Sequence, residues 1–290
     1  MYKTSCFCFL FLLFVFSSCV KNNQNPTWIE IDKWTIVENP DEAGAAGILS
    51  HQFDDVYISI DGKIIGYFEL PVKIPLLLEG QKEIKLYPVV RNNGISATKK
   101  SYPFCSTFDT VINMEIDKVH TIKPSTHYLS NLSFWVEDFE DASTELTPLN
   151  GNLALLQKKN DPNYVKYGNF YGYIELNKID SVFAYESIPF YNVPKAGAEV
   201  YLEIDYMTSN SFLTSLNASI NGYEKTNPNI SLNSFDYANL GWKKIYIDLK
   251  ELVSSQSTAV YFKHVFSASL DVTKSESKIF IDNIRFLYKK

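Results

Sequence analysis

The stretch SKIFIDNIRFLY, residues 277–288, is mostly apolar, and in the tail after its Asp-Asn pair Ile284, Phe286 and Tyr288 stand two residues apart. A period of two residues puts successive side chains on opposite faces of a β-strand. The apolar positions are mostly aromatic or β-branched, and both kinds of residue favour strands. The stretch therefore predicts a long β-strand with one face turned towards a core.

The same pattern recurs through the second half of the sequence. It occurs in the segments FYGYIEL (170–176), EVYLEIDYMT (199–208), TSLNASI (214–220), KKIYIDL (243–249) and AVYFKHVF (259–266). Asn221-Gly222 marks a turn between strands, because both residue types tolerate the positive φ angles of tight turns. The spacing predicts an all-β jelly roll over residues 130–290, with a short amphipathic turn after the 243–249 strand.

This jelly roll opens with NLSFWVEDFEDAS (131–143), a predicted strand that runs into acidic residues. The opening EDFED, the middle GWKKIYIDL and the closing IFIDNIRF resemble the galactose-binding-like jelly rolls, which include many carbohydrate-binding modules. The resemblance implies that the first and last strands lie side by side in one sheet.

The resemblance also implies a structural Ca²⁺ near those paired strand ends. Asp138 and Glu140 are two residues apart and share a strand face, and Asp282 would approach from the last strand. Calcium prefers six to eight hard oxygen ligands, which carboxylates and carbonyls supply. The alternative is a solvated acidic strand end, with Asp282 and Asn283 bonding their own turn.

Aromatic residues are frequent, with 19 tyrosines and 20 phenylalanines in 290 residues. Rings of this kind pack well on a pleated sheet, and they also stack on sugars. Six tyrosines in aromatic, amide-rich stretches are therefore candidate ligand-binding residues: Tyr164, Tyr167, Tyr171, Tyr173, Tyr185 and Tyr191. A protein partner would use the same rings as anchors, so a glycan and an envelope protein both remain candidate partners.

Period-two patterns also dominate residues 27–126. VYISIDGKIIGYFEL (56–70) predicts two strands joined at Asp61-Gly62, a dipeptide suited to a type I′ hairpin turn. KEIKLYPVV (82–90) predicts a strand that ends, or lies at a sheet edge, at its proline. TVINMEI (110–116) and KVHTIKP (118–124) predict a further pair of strands. Together they predict an immunoglobulin-like β-sandwich.

Part of this sandwich resembles the PEGA-type surface modules. The similar residues are IDGKIIG (60–66) and the following LPVKIPLLLEGQKEIKL, which correspond to a hairpin, a proline-flanked strand and a further strand. The resemblance implies a spacer module on a bacterial surface, without catalysis.

The N-terminal residues predict an export signal. An apolar run from Cys6 to Phe16 has the length of a signal-peptide core and is too short to span a bilayer. The sequence FSSC (16–19) resembles the bacterial lipobox, which implies cleavage before Cys19 and a lipid on its thiol. Residues 1–18 would then be the signal peptide and residues 19–26 a polar tether. An ordinary secretory signal with a coincidental cysteine is the alternative.

The residue after Cys19 is Val20 and not the aspartate that retains enteric lipoproteins at the inner membrane. The lipobox resemblance therefore implies an outer-membrane protein held by its lipid. Within residues 20–290 Cys105 is the single cysteine, so no internal disulfide is expected.

Charge and motifs exclude several function classes. The chain has 27 basic and 33 acidic residues, a net charge of −6, and no basic block, which argues against nucleic acid as a partner. Its four histidines are scattered and form no metal-protease motif, and neither a nucleophile elbow nor a phosphate-binding glycine loop is present. No catalytic residue or catalytic cofactor is predicted.

The sequence thus predicts an all-β, lipid-anchored envelope protein with an immunoglobulin-like sandwich at 27–126 and a jelly roll at 130–290. The leading hypothesis is a non-catalytic binding module for a glycan or glycoprotein. A structural or assembly subunit of an outer-membrane complex is the alternative. A third hypothesis is an unrecognised glycoside hydrolase, because a fold can bring distant carboxylates together.

Overall fold

The computed structural model describes residues 24–235 and 241–290. The predicted signal peptide and Cys19 lie outside these residues. The described chain is built almost wholly of β-strands, which confirms the all-β prediction.

Strands β1–β10 form the part that we call the N-terminal sandwich. Their bounds are β1 Thr27–Ile31, β2 Thr35–Ile36, β3 Asp55–Ile60, β4 Lys63–Glu69, β5 Val72–Leu76, β6 Gly80–Arg91, β7 Lys99–Ser101, β8 Phe108–Met114, β9 Val119–Ile122 and β10 Ser125–Thr126. The largest sheet has the order β4-β3-β6-β7, with β8 also paired to β6. A three-stranded sheet, β5-β1-β9, and a two-stranded sheet, β10-β2, complete it. Its core contains Ile29, Val56 and Ile84, all inaccessible to solvent.

The β3–β4 hairpin forms where the sequence predicts it. Asp61 has φ 49° and Gly62 has φ 73°, so both central residues of the turn adopt the positive φ that a type I′ turn requires. Glycine accepts this conformation without a Cβ clash, and aspartate tolerates it.

The prediction for the 82–90 strand is wrong at Pro88, because β6 neither ends there nor lies at an edge. The Pro88 carbonyl accepts a hydrogen bond from Tyr102 N at 2.8 Å, so its missing N–H points towards the same side. On that side β8 pairs with β6 only as far as Leu86, and β7 begins at Val89. Pro88 therefore lies where β6 changes partner and no donor is needed.

The predicted pairing of segments 110–116 and 118–124 is also wrong. β8 pairs with β6, whereas β9 pairs in parallel with β1. The segments lie in different sheets, and the chain between them crosses from one sheet to the other.

Strands β11–β22 and one helix form the part that we call the jelly roll. Their bounds are β11 Leu132–Glu137, β12 Thr147–Pro148, β13 Gln157–Lys159, β14 Tyr171–Asn177, β15 Val182–Glu186, β16 Phe190–Tyr191, β17 Val200–Thr208, β18 Phe212–Ile220, β19 Tyr223–Leu232, β20 Lys243–Asp248, α1 Lys250–Ser255, β21 Tyr261–Ser269 and β22 Glu276–Lys289. The six-residue α1 is the amphipathic turn predicted after the 243–249 strand, and it buries Val253. None of the described helices has the length and apolar character needed to cross a membrane.

The jelly roll has two sheets, each named here after a central strand. The β22 sheet has the order β13-β14-β22-β17-β20, with β11 also paired to β22. The β21 sheet has the order β12-β15-β21-β18-β19, with β16 also paired to β21. Antiparallel pairing of β11 with β22, from Leu132–Lys289 to Glu137–Ile284, confirms that the first and last strands are neighbours.

One large hydrophobic cluster fills the space between the two sheets. Ile174 and Ile281 reach it from the β22 sheet, and Phe183 and Phe266 reach it from the β21 sheet. Because side chains alternate along each strand, every strand also presents residues on an outer face, away from this core. Those two outer faces differ in what lies over them.

Candidate functional site

The N-terminal sandwich covers part of the outer face of the β22 sheet. Tyr201, Tyr246 and Leu287 of the jelly roll belong to the same buried hydrophobic cluster as the core of the N-terminal sandwich. Tyr102 packs edge-on against Tyr201, with ring centroids 5.5 Å apart. This part of the face is therefore occupied by the protein itself.

A buried ion network lies within this contact. The Glu203 carboxylate is 2.9 Å from Lys244 Nζ and 3.3 Å from Arg285 Nη1, and all three side chains are inaccessible to solvent. Tyr102 and Tyr128 of the N-terminal sandwich donate their hydroxyls to Glu203. Burial alone would raise the pKa of Glu203, but Lys244 and Arg285 outweigh it and lower the pKa. The carboxylate is thus charged and fully bonded.

The segment around residues 46–50 seals the network. Arg285 donates to the carbonyls of Ala46 and Ile48. Ser50 Oγ accepts from Lys244 Nζ at 3.0 Å and donates to Asp205. Removing one partner of such a buried pair leaves an uncompensated charge, so the network ties the jelly roll to the N-terminal sandwich.

The predicted calcium ligands lie beside this contact. Asp282 is 2 % exposed. Burial, the largest cause, together with the neighbouring Asp205 and Asp138 carboxylates, raises the pKa of its carboxyl to about 8. The Asp282 carboxyl therefore tends to hold its proton at neutral pH in the metal-free protein.

Glu140, the third predicted ligand, is held by hydrogen bonds. Its carboxylate accepts from the backbone N–H of Asn169 at 2.7 Å, from the side-chain amide of Asn169 at 3.0 Å and from Phe170 N at 2.9 Å. Within residues 24–235 and 241–290, no three His, Cys, Asp or Glu side chains are grouped closely enough to hold a metal ion. Calcium binding stays a prediction, and it requires that a chelator lower the melting temperature.

Four of the predicted ligand-binding tyrosines lie on or over the rest of this face. Tyr171 and Tyr173 are 1 % and 6 % exposed and pack with Phe280 in a small hydrophobic cluster. Tyr164 covers Phe280, with ring centroids 5.0 Å apart. Tyr167 is half-buried, and burial, with a smaller contribution from Asp205, raises its pKa. Burial of Tyr171 and Tyr173 means that their rings pack the protein and offer no free face to a ligand.

The two remaining tyrosines belong to the β21 sheet and point in opposite directions. Tyr185 is buried in the core, stacks on Phe183 and accepts a hydrogen bond from Leu156 N at 3.1 Å. Tyr191 is 53 % exposed on the outer face. Of the six predicted tyrosines, Tyr191 alone lies on the outer face of the β21 sheet.

Tyr191 forms one end of a recognisable surface. It lies directly across from Tyr261 in the β16–β21 pairing, and the two rings meet edge to face with centroids 5.4 Å apart. The Tyr261 hydroxyl donates to Glu224 Oε1 at 3.1 Å, which fixes its ring. The pair presents an exposed aromatic edge at one end of the sheet.

Next to the aromatic pair lies a group of charged side chains. Lys263 Nζ is 2.8 Å from Glu186 Oε1 and 3.1 Å from Glu224 Oε1. Burial by itself would lower the pKa of Lys263, but the hydrogen bonds to the two glutamates outweigh it and raise the pKa. Lys263 lies two residues from Tyr261 on β21, so both side chains face outwards.

Two acceptor atoms in this group lack hydrogen-bond partners among the described residues. They are Asn217 Oδ1 and Glu186 Oε2, both buried. Asn217 lies across from Lys263 in the β18–β21 pairing, is 6 % exposed, and donates its amide to Glu224 at 3.4 Å. An unmet buried acceptor costs about 1–3 kcal/mol, which a donor from a ligand would recover.

Small side chains form the rest of this outer face. Ser215 and Ser219 of β18 are nearly inaccessible although they face outwards, which indicates a concave surface with higher rims. At the end away from the tyrosines lies a shallow depression of about 310 Å³, lined by Ser211, Leu213 and Ser267 among others. None of the buried hydrophobic clusters of the described chain includes a residue of this outer face. We call this concave surface, from Tyr191 to Ser267, the open face.

Sequence reasoning missed most of the open face. It did not predict β15 or β19, which carry Glu186 and Glu224. The signal for β15 is the alternation in VFAYE, residues 182–186, where the two aromatic residues point inwards. For β19, Asn221-Gly222 with φ 51° and 81° indicates a hairpin, whose second strand had to follow at residue 223.

Comparison with known proteins gave similarity in structure only. No family model matches the chain, and no curated protein matches it. The bacteriophage CBA120 tailspike protein 4, in its enzymatically active domain, is similar over 54 % of this chain and 19 % of its own, at 10 % identity and a TM-score of 0.32.

Two carbohydrate-binding modules are similar over about half of this chain. The CBM22-1 xylan-binding domain from Paenibacillus barcinonensis Xyn10C has 12 % identity and a TM-score of 0.37, over 54 % of this chain and 94 % of its own. The family 11 module from Clostridium thermocellum, in complex with a β-1,3-1,4-mixed-linked tetrasaccharide, has 12 % identity and a TM-score of 0.35, over 53 % and 94 %.

Proposed function

We propose that this protein is a non-catalytic glycan-binding module whose site is the open face. The observation that carries the proposal is the position of the exposed Tyr191 and its half-buried partner Tyr261 beside the buried, unpartnered acceptors of Asn217 and Glu186. A glycan has both features that such a site needs, namely apolar ring faces and hydroxyl donors.

The aromatic pair provides a surface on which a sugar ring can stack. A pyranose ring has an apolar face of C–H groups that packs on the π-system of a tyrosine, and binding sites use a few convergent polar groups to fix orientation. After a side-chain rotation that exposes the acceptor, a hydroxyl of the same sugar would donate to Asn217 Oδ1 or to Glu186 Oε2. Recovering these unmet bonds favours the bound state.

Binding is favoured over hydrolysis by the arrangement of the two carboxylates. A glycosidase needs one carboxylic acid to donate a proton. Glu186 and Glu224 both form an ion pair with Lys263, so neither stands apart as the acid of such a pair. The hydrolase hypothesis therefore has little support at this face.

A second candidate function, a structural subunit that acts through protein contacts, has its own supporting observation. Tyr67, Tyr57 and Tyr87 form a row across β4, β3 and β6, with ring centroids 4.8 Å and 5.2 Å apart. Tyr67 and the nearby Ile64 are exposed. Exposed aromatic rows of this kind are typical anchors of protein interfaces.

We further propose that Cys19 carries a lipid that holds the protein at the outer membrane, with the N-terminal sandwich as a spacer. The lipobox-like FSSC sequence supports the anchor. Substitution Cys19→Ser is expected to move the protein from the membrane fraction to the soluble envelope fraction. Unchanged fractionation would contradict the anchor and leave the glycan proposal standing.

The glycan proposal is tested on an array of soluble glycans with the protein lacking its predicted signal peptide. The unsubstituted protein is expected to bind, and Tyr191→Ala is expected to weaken binding at least tenfold, as loss of a central aromatic anchor does. Tyr164→Ala, which changes a partly exposed tyrosine in the loop over the β22 sheet, is the matched control and is expected to bind normally. Absence of binding to every glycan would overturn the proposal.

A further inference from the structure

We infer that the open face accepts uncharged glycans and excludes sugars that carry carboxylate or sulfate groups, and that Glu186, Lys263 and Glu224 set this selectivity. The inference rests on the proposed function and names the class of ligand that the same site takes. Its basis is the balance of charge and of donors at the open face.

The charge balance is unfavourable for an anion. Three strands of the β21 sheet bring two carboxylates and one ammonium group together. Glu186 lies on β15, Lys263 on β21 and Glu224 on β19. Lys263 is within 3.1 Å of a carboxylate oxygen on each side, so its charge is already neutralised. The group as a whole keeps one negative charge, and it repels a second anion placed over it.

The unpaired hydrogen-bond acceptors of the open face also favour an uncharged ligand over an anionic one. The two buried atoms without partners, Asn217 Oδ1 and Glu186 Oε2, can only accept hydrogen bonds. A hydroxyl can donate to them, whereas a carboxylate or sulfate oxygen has no proton to give. Where the carboxylate or sulfate group itself lies over these two atoms, it leaves both acceptors unmet and adds repulsion.

The aromatic pair places a ligand over this group. Lys263 and Tyr261 are alternate residues of one strand, so their side chains are about 6.6 Å apart along the face. A sugar that stacks on Tyr191 and Tyr261 therefore has its own edge, or the next sugar of its chain, over Lys263 and its two glutamates. A charged group on the ligand would interact with Lys263 and the two glutamates at that position.

The experiment compares matched polysaccharides that differ in one group. β-1,4-glucan and β-1,4-glucuronan, β-1,4-mannan and β-1,4-mannuronan, and galactan and galacturonan are placed on one array. Neutral members are expected to bind at least tenfold more tightly than acidic ones. The difference is expected to shrink between about 20 mM and about 500 mM salt, because salt screens charges near the surface.

A variant separates the charge effect from the rest of the site. Glu186→Gln combined with Glu224→Gln keeps an amide oxygen at each position and frees the charge of Lys263. Affinity for acidic members is expected to rise at least fivefold, and the preference for neutral members is expected to fall towards one. Glu251→Gln, on the exposed side of α1, is the control and is expected to keep the original preference.

Each outcome has a distinct consequence. The inference is supported if the unsubstituted protein prefers the neutral polysaccharides and the double variant loses that preference. Equal or tighter binding of acidic members by the unsubstituted protein overturns it and leaves glycan binding intact. Binding to no member of either set overturns the proposed function, and the inference falls with it.

Discussion

On the outer face of the β22 sheet, one glutamate is paired with two cations, whereas on the open face one lysine is paired with two glutamates. Glu203 lies between Lys244 and Arg285, and the N-terminal sandwich adds tyrosine hydroxyls to it. On the open face Lys263 lies between Glu186 and Glu224. Each group places one charged side chain between two of opposite sign, and each takes its three members from three strands of one sheet.

The two groups differ in whether another part of the chain covers them and in whether all of their polar atoms have hydrogen-bond partners. The Glu203 group is buried under another part of the same chain, and its carboxylate is surrounded by donors. The open-face group has no hydrophobic cluster over it and retains two acceptors without partners in the described chain. The comparison separates a face that holds the protein together from the face that we propose binds a ligand.

The largest expected effect tests the covered group. Glu203→Gln removes the one carboxylate that contacts both Lys244 and Arg285 and leaves Asp205, 3.5 Å from Lys244 Nζ, as the remaining buried counter-charge. We expect the change to lower the free energy of unfolding by about 3–5 kcal/mol. Denaturant titration followed by fluorescence measures the change. Glu224→Gln makes the same substitution on the open face, where we expect less than about 1 kcal/mol. Equal losses in the two variants would erase the distinction between the faces.

A somewhat smaller effect is expected at Gly168, where the 160–170 loop meets the β22 sheet. A Cβ at Gly168 would lie 2.4 Å from Glu140 Oε1 and 2.5 Å from Ile48 Cδ1. We expect Gly168→Ala to destabilise the protein by about 2–4 kcal/mol, from crowding together with a positive φ.

Gly44→Ala is the control for that substitution. Gly44 also has a positive φ, 79°, but has open space around its Cβ position. The left-handed conformation alone costs about 1–2 kcal/mol. If thermal melting shows the same loss for both variants, the loop is not packed against Ile48 and Glu140 as described.

A third prediction uses pH to test the inner side of β21, whose outer side carries Lys263. Burial lowers the pKa of His264 to about 3, below the value of about 6.5 for a free histidine. Between these two values the unfolded chain binds a proton that the folded chain does not. The free energy of unfolding should therefore fall as pH falls from about 6.5 towards 3, by up to about 1.4 kcal/mol per pH unit.

Comparison with His264→Phe isolates this contribution, because the ring would remain among Phe190 and Phe286 without a titrating group. The variant should show a shallower acid slope, while the control His120→Gln should keep the slope of the unsubstituted protein. Parallel slopes for all three proteins would show that His264 is hydrated and that the β21 core is not dry.

The smallest stability effect is expected at Asn217. Its Oδ1 makes no hydrogen bond in the described chain, so Asn217→Ala should change the free energy of unfolding by less than about 1 kcal/mol. Glycan affinity should still fall several-fold, as isothermal titration would measure. Asn163→Ala, in the loop beside the β22 sheet, should leave both quantities unchanged. Unaltered affinity in Asn217→Ala would remove this acceptor from the site.

Local chemistry made much of the fold predictable. The apolar pattern of residues 277–288 predicted β22, Asp61-Gly62 predicted a hairpin turn and Asn221-Gly222 predicted a turn, and the structure contains all three. These features depend on the residues themselves and their immediate neighbours. Pro88 was misread because its tolerance depends on where β8 gives way to β7, which no local pattern encodes.

The candidate site was predicted less well for a related reason. Alternation shows that a tyrosine lies on one of two faces, but it does not show which other segment covers that face. Tyr171 and Tyr173 are buried because the 160–170 loop lies over them, and Tyr191 is exposed because its face has no such cover. Cover comes from residues far away in sequence, as Ala46 and Ile48 show by accepting from Arg285.

The central position of β22 has a consequence for biosynthesis. It joins the β13–β14 half of its sheet to the β17–β20 half, and it also pairs with β11, yet the ribosome makes it after all of these partners. Until residues 276–289 have been translated, the two halves have nothing to bridge them. The β22 sheet therefore closes only after residues 276–289 have left the ribosome.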